Sequence, residues 1–164
     1  MSSVWKDEDV RWHIKHPWKL PKLFFNNIKY SYQRITKGYC DKDLWDIDCW
    51  FMDIIPRMLQ QFKETRCGSP GVLGEYYTDT DGILKNDICH KEWDKILDEM
   101  IFLFREMNEE TCSRKNTYIE EYNRAPNECK VKYFEYEKEL EEYRMECKDK
   151  AFALFSKWFY SLWD

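Results

Sequence analysis

The chain has 164 residues, of which 43% are hydrophobic, 18% aromatic and 35% charged, and its formal net charge is −5. With only five glycines and five prolines, this composition excludes collagen-like, low-complexity and disordered proteins. The apolar runs are too short for a transmembrane helix, and the start of the chain does not resemble a secretory signal. We therefore expect one folded domain, residues 1–164, in a cytoplasm.

The charge is distributed unevenly along the chain. Residues 1–37 carry eight basic and three acidic side chains, whereas residues 38–164 carry 18 basic and 28 acidic ones. No acidic residue occurs between Val10 and Lys37. A basic N-terminal arm on an acidic body predicts contact with an anion, such as phosphate or a membrane surface. The alternative is that the arm folds against the acidic body of its own chain.

Helical periodicity begins after two prolines. Pro17 and Pro21 interrupt any continuous helix, although Pro21 can occupy the first position of a new one. Apolar residues then recur at helical spacing, at Leu23, Phe24, Ile28, Tyr32 and Ile35. Gly38 predicts the end of this helix.

A second amphipathic helix is predicted to end near Arg66, and Asp41 or Asp43 can cap its start. Its apolar stripe consists of Leu44, Ile47, Phe51, Ile54, Ile55, Met58, Leu59 and Phe62. Pro56 lies in the middle of this stripe, so we expect it to kink the helix or split it in two.

The segment Cys67–Asp87 is rich in glycine and in turn-forming residues, so it predicts a long ordered loop. Within it, Glu75–Thr78 is compatible with a short strand. Downstream, Thr111–Glu128 is mostly polar, and Pro126 is expected to break any helix there. Its expected anchors are Tyr118, Ile119 and Tyr122.

Two further helices have strong apolar stripes. The first covers about His90–Asn108, with Trp93, Ile96, Leu97, Met100, Phe104 and Met107 on one face. The second runs from about Asn127 nearly to the end, with a seam of Tyr136, Leu140, Tyr143, Cys147, Ala151, Leu154, Trp158 and Leu162. The sequence therefore predicts an all-α fold: an irregular bundle of four to five helices with a long ordered loop and a long C-terminal helix.

The last turns of this C-terminal helix are apolar on almost every side. Beyond the seam they contain Phe152, Phe155, Phe159, Tyr160 and Trp163. Such a segment is either buried or meets a partner, and the surplus predicts a homo-oligomer.

Seven cysteines are spread widely along the chain: Cys40, Cys49, Cys67, Cys89, Cys112, Cys129 and Cys147. No Cys-x-x-Cys pair occurs, so neither a zinc ribbon nor a thioredoxin-like site is indicated. We expect reduced thiols, with Cys49 and Cys147 packing as small apolar side chains.

One part of the sequence resembles known proteins. Residues 38–51 read Gly-Tyr-Cys-Asp-Lys-Asp-Leu-Trp-Asp-Ile-Asp-Cys-Trp-Phe, and residues 54–59 read Ile-Ile-Pro-Arg-Met-Leu. This pattern resembles a group of small proteins encoded by bacteriophages and prophages. Similar elements are His16–Lys19, Glu92–Met100 and Tyr118–Tyr122. The resemblance covers about residues 13–123 and implies a phage origin, but it implies no activity.

Acidic residues supply one candidate site. Asp48 is predicted to lie on or beside the buried stripe, where it either helps to bind a metal or ligand or pairs with Arg34, Arg57 or His90. Asp46, Asp48, Asp94 and Asp98 together suggest a Mg²⁺ cluster on two helices. All-α nucleotide pyrophosphohydrolases use paired acidic helices, but their Glu-x-x-Glu and Glu-x-x-Asp pairs are not cleanly present here.

Aromatic and basic residues supply the other candidate site. Aromatic rings beside arginine and lysine can hold a base and its phosphates. The predicted ligand contacts are Arg11, Lys15, His16, Trp18 and Lys19 from the arm, with Tyr76 and Tyr77 from the loop. Duplex DNA is disfavoured by the negative net charge.

These observations favour binding over catalysis, with no cofactor. The leading hypothesis is a phage counter-defence factor that sequesters a nucleotide-type immune signal or blocks a host protein. One alternative is a metal-dependent nucleotide hydrolase, and another is a structural or host-takeover protein that contacts only other proteins.

Overall fold

In the computed structural model, the described residues are 20–76 and 86–163. Six α-helices follow one another along this part of the chain. They are α1 (Leu20–Lys37), α2 (Ile47–Thr65), α3 (Gly71–Tyr76), α4 (Asn86–Glu106), α5 (Ile119–Arg124) and α6 (Pro126–Trp158). Two short 3₁₀ helices, Asp41–Leu44 and Phe159–Ser161, precede α2 and follow α6.

The all-α prediction is confirmed, since none of the described residues lies in a strand. The long C-terminal helix is confirmed as α6, which has 33 residues. The segment Cys67–Asp87 differs from the expected loop because α3 lies within it. The suggestion of a short strand at Glu75–Thr78 is wrong for Glu75 and Tyr76, because both belong to α3. Tyr77 and Thr78 lie outside the described residues.

The chain divides into two compact units, Met1–Asp53 and Ile54–Asp164. The expectation of one domain stays a prediction. Among the described residues, no helix combines the length and the apolar character needed to cross a membrane.

Helix α1 ends where the sequence predicts. Gly38 has a φ of +82°, a left-handed conformation that glycine adopts without steric cost. Its N–H donates to the carbonyl of Arg34 at 3.0 Å. The chain therefore leaves α1 directly into the 3₁₀ helix.

Helix α2 is continuous through Pro56, so Pro56 does not split it. A kink at Pro56, the other expected outcome, stays a prediction. Its end at Thr65 agrees with the prediction. The predicted buried face is partly wrong, because Leu44 before the helix and Ile47 and Met58 within it are exposed.

The face of α2 that meets α4 carries charged as well as apolar residues. Pro56 and Leu59 are buried, and Lys63 and Arg66 continue the same helical face. Lys63 Nζ lies 2.7 Å from Asp98 Oδ1, and Arg66 Nη2 lies 2.7 Å from an Asp94 oxygen on α4. These two ion pairs join the end of α2 to α4, and the apolar stripe did not predict them.

The core of the second unit forms where α4 packs against α6. On α4, the predicted stripe is confirmed at Trp93, Leu97, Met100 and Phe104, all at most 1% exposed. On α6, the predicted seam is confirmed by the buried residues Leu140, Cys147, Ala151 and Trp158.

Aromatic contacts join the two helices. The rings of Trp93 and Trp158 have centroids 5.2 Å apart. Phe104 meets Phe152 at 5.7 Å and Phe155 at 5.6 Å, both edge to face. Aromatic pairs in this arrangement add stability beyond the area that they bury.

Helix α5 packs on the first turns of α6. The rings of Tyr122 and Tyr133 stack at 4.3 Å, and Tyr118 meets Tyr136 edge to face at 6.0 Å. Two of the three expected anchors therefore make contacts. Ile119 does not serve as an anchor, since it is 48% exposed.

None of the seven cysteines, all within the described residues, forms a disulfide. Cys147 is buried as predicted. Cys49 is exposed, so its expected role as a small core residue is wrong. Cys49 lies in the first turn of α2, where Ile47 and Asp48 are exposed as well.

Replacement of Phe104 by alanine tests this core. We expect Phe104→Ala to lower the free energy of unfolding by about 3–5 kcal/mol, because it leaves a cavity against α6. Phe102→Ala on the same helix is the control, since Phe102 is 52% exposed and its loss costs about 1 kcal/mol or less. Urea unfolding followed by circular dichroism measures both. Equal losses for the two variants contradict the core assignment.

Candidate functional site

The predicted ligand contacts fall almost entirely outside the described residues. Arg11, Lys15, His16, Trp18, Lys19 and Tyr77 lie there. Tyr76 is the last residue of α3, and its side chain also lies outside the description. The nucleotide-type ligand site therefore stays a prediction.

The first half of the alternative metal site lies at the start of α2. Asp46 precedes this helix and Asp48 is in its first turn, and both are exposed. The expectation that Asp48 lies on or beside a buried stripe is wrong, because the first turn of α2 is exposed, with Ile47, Asp48 and Cys49 all at the surface. Arg34, one of its three suggested partners, binds Asp43 instead.

The second half of that metal site lies on α4, where both carboxylates meet cations from α2. Asp98 accepts from Lys63 Nζ with both oxygens, at 2.7 and 2.8 Å. Asp94 accepts from Arg66, whose side chain is 6% exposed. Within residues 20–76 and 86–163, no three His, Cys, Asp or Glu side chains are grouped to hold a metal. These residues give the Mg²⁺ alternative no support.

The segment Gly38–Trp45, the centre of the phage-like motif, is held by a buried carboxylate. Asp43 is 6% exposed. It accepts from Arg34 through Nη2 at 2.6 Å and Nε at 3.2 Å, and from the Cys40 N–H at 2.8 Å. Burial raises the pKa of Asp43. The hydrogen bonds from Arg34 and Cys40 together lower this pKa by more than burial raises it, so the net pKa is below its usual value.

The other aspartate of the motif makes a second connection to α1. Asp41 lies 2.7 Å from Lys29 Nζ, and its backbone N–H donates to Gln33 Oε1 at 3.1 Å. The two acids thus fasten the 3₁₀ helix to α1. This differs from the expectation, which was that one of them caps α2. In this arrangement Trp45 is 87% exposed.

A second buried carboxylate lies at the end of α4. Glu106 is 3% exposed. It accepts from Ser113 through the backbone N–H at 2.9 Å and the hydroxyl at 2.8 Å, and from the Tyr143 hydroxyl at 2.9 Å. The guanidinium of Arg114 covers the ring of Tyr143 at 3.6 Å. These contacts connect the segment after α4 to the middle of α6.

The environment of Glu106 shifts two pKa values. Burial raises the pKa of Glu106, but the hydrogen bonds from Ser113 and Tyr143 outweigh it, so the net pKa is lowered. The pKa of Tyr143 is raised by burial and by its hydrogen bonds with Cys147 and Glu106. Glu106 is therefore ionised, and both of its carboxylate oxygens accept hydrogen bonds within the fold. This arrangement suits a structural role.

Aromatic side chains form an exposed surface at the end of α6. We call Phe159, Tyr160 and Trp163 the C-terminal aromatic surface; they are 53%, 89% and 75% exposed. The rings of Phe159 and Tyr160 are 5.5 Å apart, and Phe159 is also 5.5 Å from Phe155. Since Phe155 packs on buried Phe104, this surface rests on the core.

Charge is scarce on this surface. Between Ala151 and Trp163 the single charged residue is Lys157. Exposed aromatic clusters with little charge are typical of the centres of protein interfaces. The sequence predicted burial or a partner for these residues. They are not buried, and the partner stays a prediction.

Comparison with protein-family models, curated proteins and solved structures found no match to this chain. The resemblance to phage proteins therefore stays a hypothesis that the motif residues carry.

The sequence did not indicate two features of these sites. The Arg34–Asp43 pair joins residues nine apart, across the end of a helix. Glu106 was missed because one acidic residue at the end of a helix carries no signal of burial. For Asp43 the sequence contained a weak signal of a structural role, because Asp43 lies in the motif and was named, with Asp41, as a possible cap of α2.

Substitution of Asp43 tests the fastening of the motif. Asp43→Asn keeps the shape but leaves the guanidinium of Arg34 without its counter-charge, so we expect a local loss of about 1–3 kcal/mol. Amide hydrogen exchange at Cys40 and in the last turns of α1 measures it. Asp41→Asn is the control, and its exposed ion pair predicts a smaller change. A larger effect of Asp41→Asn contradicts the assignment.

The pH dependence of stability tests Glu106. Because its pKa is lowered in the fold, its charge stabilises the protein above the unfolded pKa of about 4.3. That contribution disappears as the pH falls through the lower folded value. We expect Glu106→Gln to cost about 1–3 kcal/mol at pH 7 and progressively less below about pH 4. Urea unfolding at several pH values measures the difference, and a gap that is constant with pH contradicts this prediction.

Proposed function

We propose that this chain is a non-catalytic binding protein of phage origin that blocks a host protein in the host cytoplasm, as a counter-defence factor. The observation that carries the proposal is the C-terminal aromatic surface. Tyrosine and tryptophan are enriched among the residues that dominate binding energy at protein interfaces. All three residues of this surface are exposed, and Phe159 packs on Phe155, which contacts the core. The ring of Phe159 is therefore held in place before a partner binds.

Two further observations favour binding over catalysis. Asp94 and Asp98, half of the suggested metal site, are paired with cations from α2. Glu106, the most enclosed carboxylate at the end of α4, has its oxygens occupied by Ser113 and Tyr143. Neither arrangement supports the hydrolase alternative.

The experiment compares two double variants of the full chain. Tyr160→Ser/Trp163→Ser removes the aromatic surface. Val131→Ser/Met145→Ser removes apolar side chains of similar exposure, 69% and 49%, from the exposed side of α6. Host proteins captured by the wild type are identified, purified and titrated calorimetrically against each form.

We expect the aromatic double variant to bind the identified host protein at least 30-fold more weakly, since hot-spot residues contribute about 2 kcal/mol or more each. The control double variant should bind as the wild type does. Equal affinity of both variants overturns the proposal.

The same proteins separate the competing hypotheses. Retention of a nucleotide that is recovered intact, without a host protein, selects the sequestration hypothesis. Light scattering over a range of concentrations reports a homo-oligomer. If the aromatic double variant abolishes such an oligomer and no host protein binds, the surface joins copies of this chain and the host-protein proposal is wrong.

A further inference from the structure

One cation lies beside the C-terminal aromatic surface. Lys157 is exposed, and its Nζ lies 5.3 Å from the centre of the Trp158 ring. Trp158 is 7% exposed and packs on Trp93, so the ammonium group rests on a ring that the core holds in place. Such a cation–π contact is attractive and restricts where the charge lies.

Lys157 and Tyr160 lie on the same side of the chain. They are three residues apart, a spacing that makes side chains neighbours on a helix. The helical path continues between them, because the 3₁₀ helix Phe159–Ser161 follows α6 directly. Tyr160 is the most exposed residue of the aromatic surface, at 89%. A partner that covers the Tyr160 ring therefore also approaches the Lys157 ammonium group.

The helix that carries Lys157 does not neutralise it. Ion pairs within a helix form three or four residues apart, and the residues at those distances from Lys157 are Ala153, Leu154, Tyr160 and Ser161. The acidic residues that precede this stretch on α6 have partners of their own. Glu146 lies 2.6 Å from Lys150, and Asp149 lies 3.3 Å from Lys148.

Helix α4, which packs against α6, does not neutralise Lys157 either. Two acidic residues flank Trp93, the residue that meets Trp158. Glu92 pairs with Lys95, and Asp94 pairs with Arg66. Within residues 20–76 and 86–163, Lys157 therefore has no acidic partner, and its charge is available to another molecule.

This charge selects the occupant of the aromatic surface. Residues 151–163 contain no acidic side chain, so a second copy docked surface to surface brings like charges together. An entirely apolar partner covers the ammonium group without pairing it, and the burial of an unpaired charge is costly. A partner with a carboxylate at the matching position avoids both costs and adds a charge-assisted hydrogen bond.

We propose that the partner covers the C-terminal aromatic surface with an apolar patch that contains one carboxylate, which pairs with Lys157. The rings of Tyr160 and Trp163 supply the apolar contact, and the ion pair fixes its register. This inference rests on the proposed function, because it names the chemistry of the partner at the same surface. One carboxylate fits better than a strongly acidic partner, since the net charge of the chain is −5.

The experiment selects peptides on the immobilised full chain. The probe is a library of random peptides of about 12 residues displayed on yeast, so it does not require an identified host protein. Selected sequences are compared with the unselected library. On the wild type, we expect at least fivefold enrichment of peptides in which Asp or Glu lies beside two or more apolar residues.

Charge reversal locates the contact. On Lys157→Glu, acidic peptides should lose their enrichment, and peptides with Lys or Arg in the same apolar context should gain it. Lys132→Glu is the matched control, because Lys132 is an exposed lysine of α6 about 37 Å away along the helix. It should select the same peptides as the wild type. A cation in the last turn also favours the helix, so circular dichroism verifies that both variants fold.

Calorimetric titration of one selected acidic peptide measures the ion pair. We expect Lys157→Glu to weaken binding at least tenfold, and Lys157→Gln to weaken it by a smaller factor. Replacement of the peptide's acid by glutamine should weaken binding to the wild type but not to Lys157→Gln, because the pair is then already lost.

This inference and the proposed function fail in different ways. Apolar peptides without acids that depend on Tyr160 and Trp163 but not on Lys157 overturn this inference and leave the host-protein proposal standing. A library that yields no peptide overturns this inference as well. Equal binding of the acidic peptide to the wild type and to Tyr160→Ser/Trp163→Ser overturns it too, because the peptide then does not cover the aromatic surface. A dimer formed through this surface, with no host protein bound, overturns both.

Discussion

The packing of α4 against α6 is the constraint on which the second unit depends. Phe104 is completely buried and meets two rings of α6, while Trp93 meets Trp158 near the end of that helix. Because interiors are close-packed, these contacts fix the rotation of both helices. The side of α6 that packs on Phe104 determines which residues of α6 are exposed. The C-terminal aromatic surface follows directly after this helix. Phe155 packs on Phe104, and Phe159 of the surface packs on Phe155.

Electrostatic pairs complete the arrangement where apolar contacts end. Lys63 and Arg66 form ion pairs that join the end of α2 to α4, and Glu106 connects the end of α4 to α6 through Ser113 and Tyr143. In the first unit, Arg34 and Asp43 perform the corresponding task for α1 and the 3₁₀ helix. Charged groups therefore serve mainly to fix segments, and aromatic groups remain exposed on both units.

The sequence predicts most accurately where helical period and core coincide. The stripes of α4 and α6 are regular enough to name their buried residues, and Gly38 marks the end of α1 because few other residues adopt its backbone angles. The buried side of α2 was only partly predictable, because Leu59 of its apolar stripe is buried whereas Ile47 and Met58 are exposed. The burial of Asp43 and Glu106 could not be predicted, because the fold brings their partners Arg34 and Tyr143 close to them. The suggested ligand contacts in the arm stay predictions.

The distribution of the cysteines has a consequence for how the protein tolerates oxidants. Five thiols are buried, including Cys40 beside the Asp43 carboxylate and Cys112 and Cys147 beside Glu106 and Tyr143, whereas Cys49 and Cys67 are exposed. An oxidised or alkylated sulfur is larger and more polar than these enclosed sites can accept. Modification of a buried thiol is therefore compatible only with an opened chain, and it prevents the chain from closing again. In the folded protein oxidants should therefore reach Cys49 and Cys67 first, and the five buried thiols should react only in molecules that are unfolding.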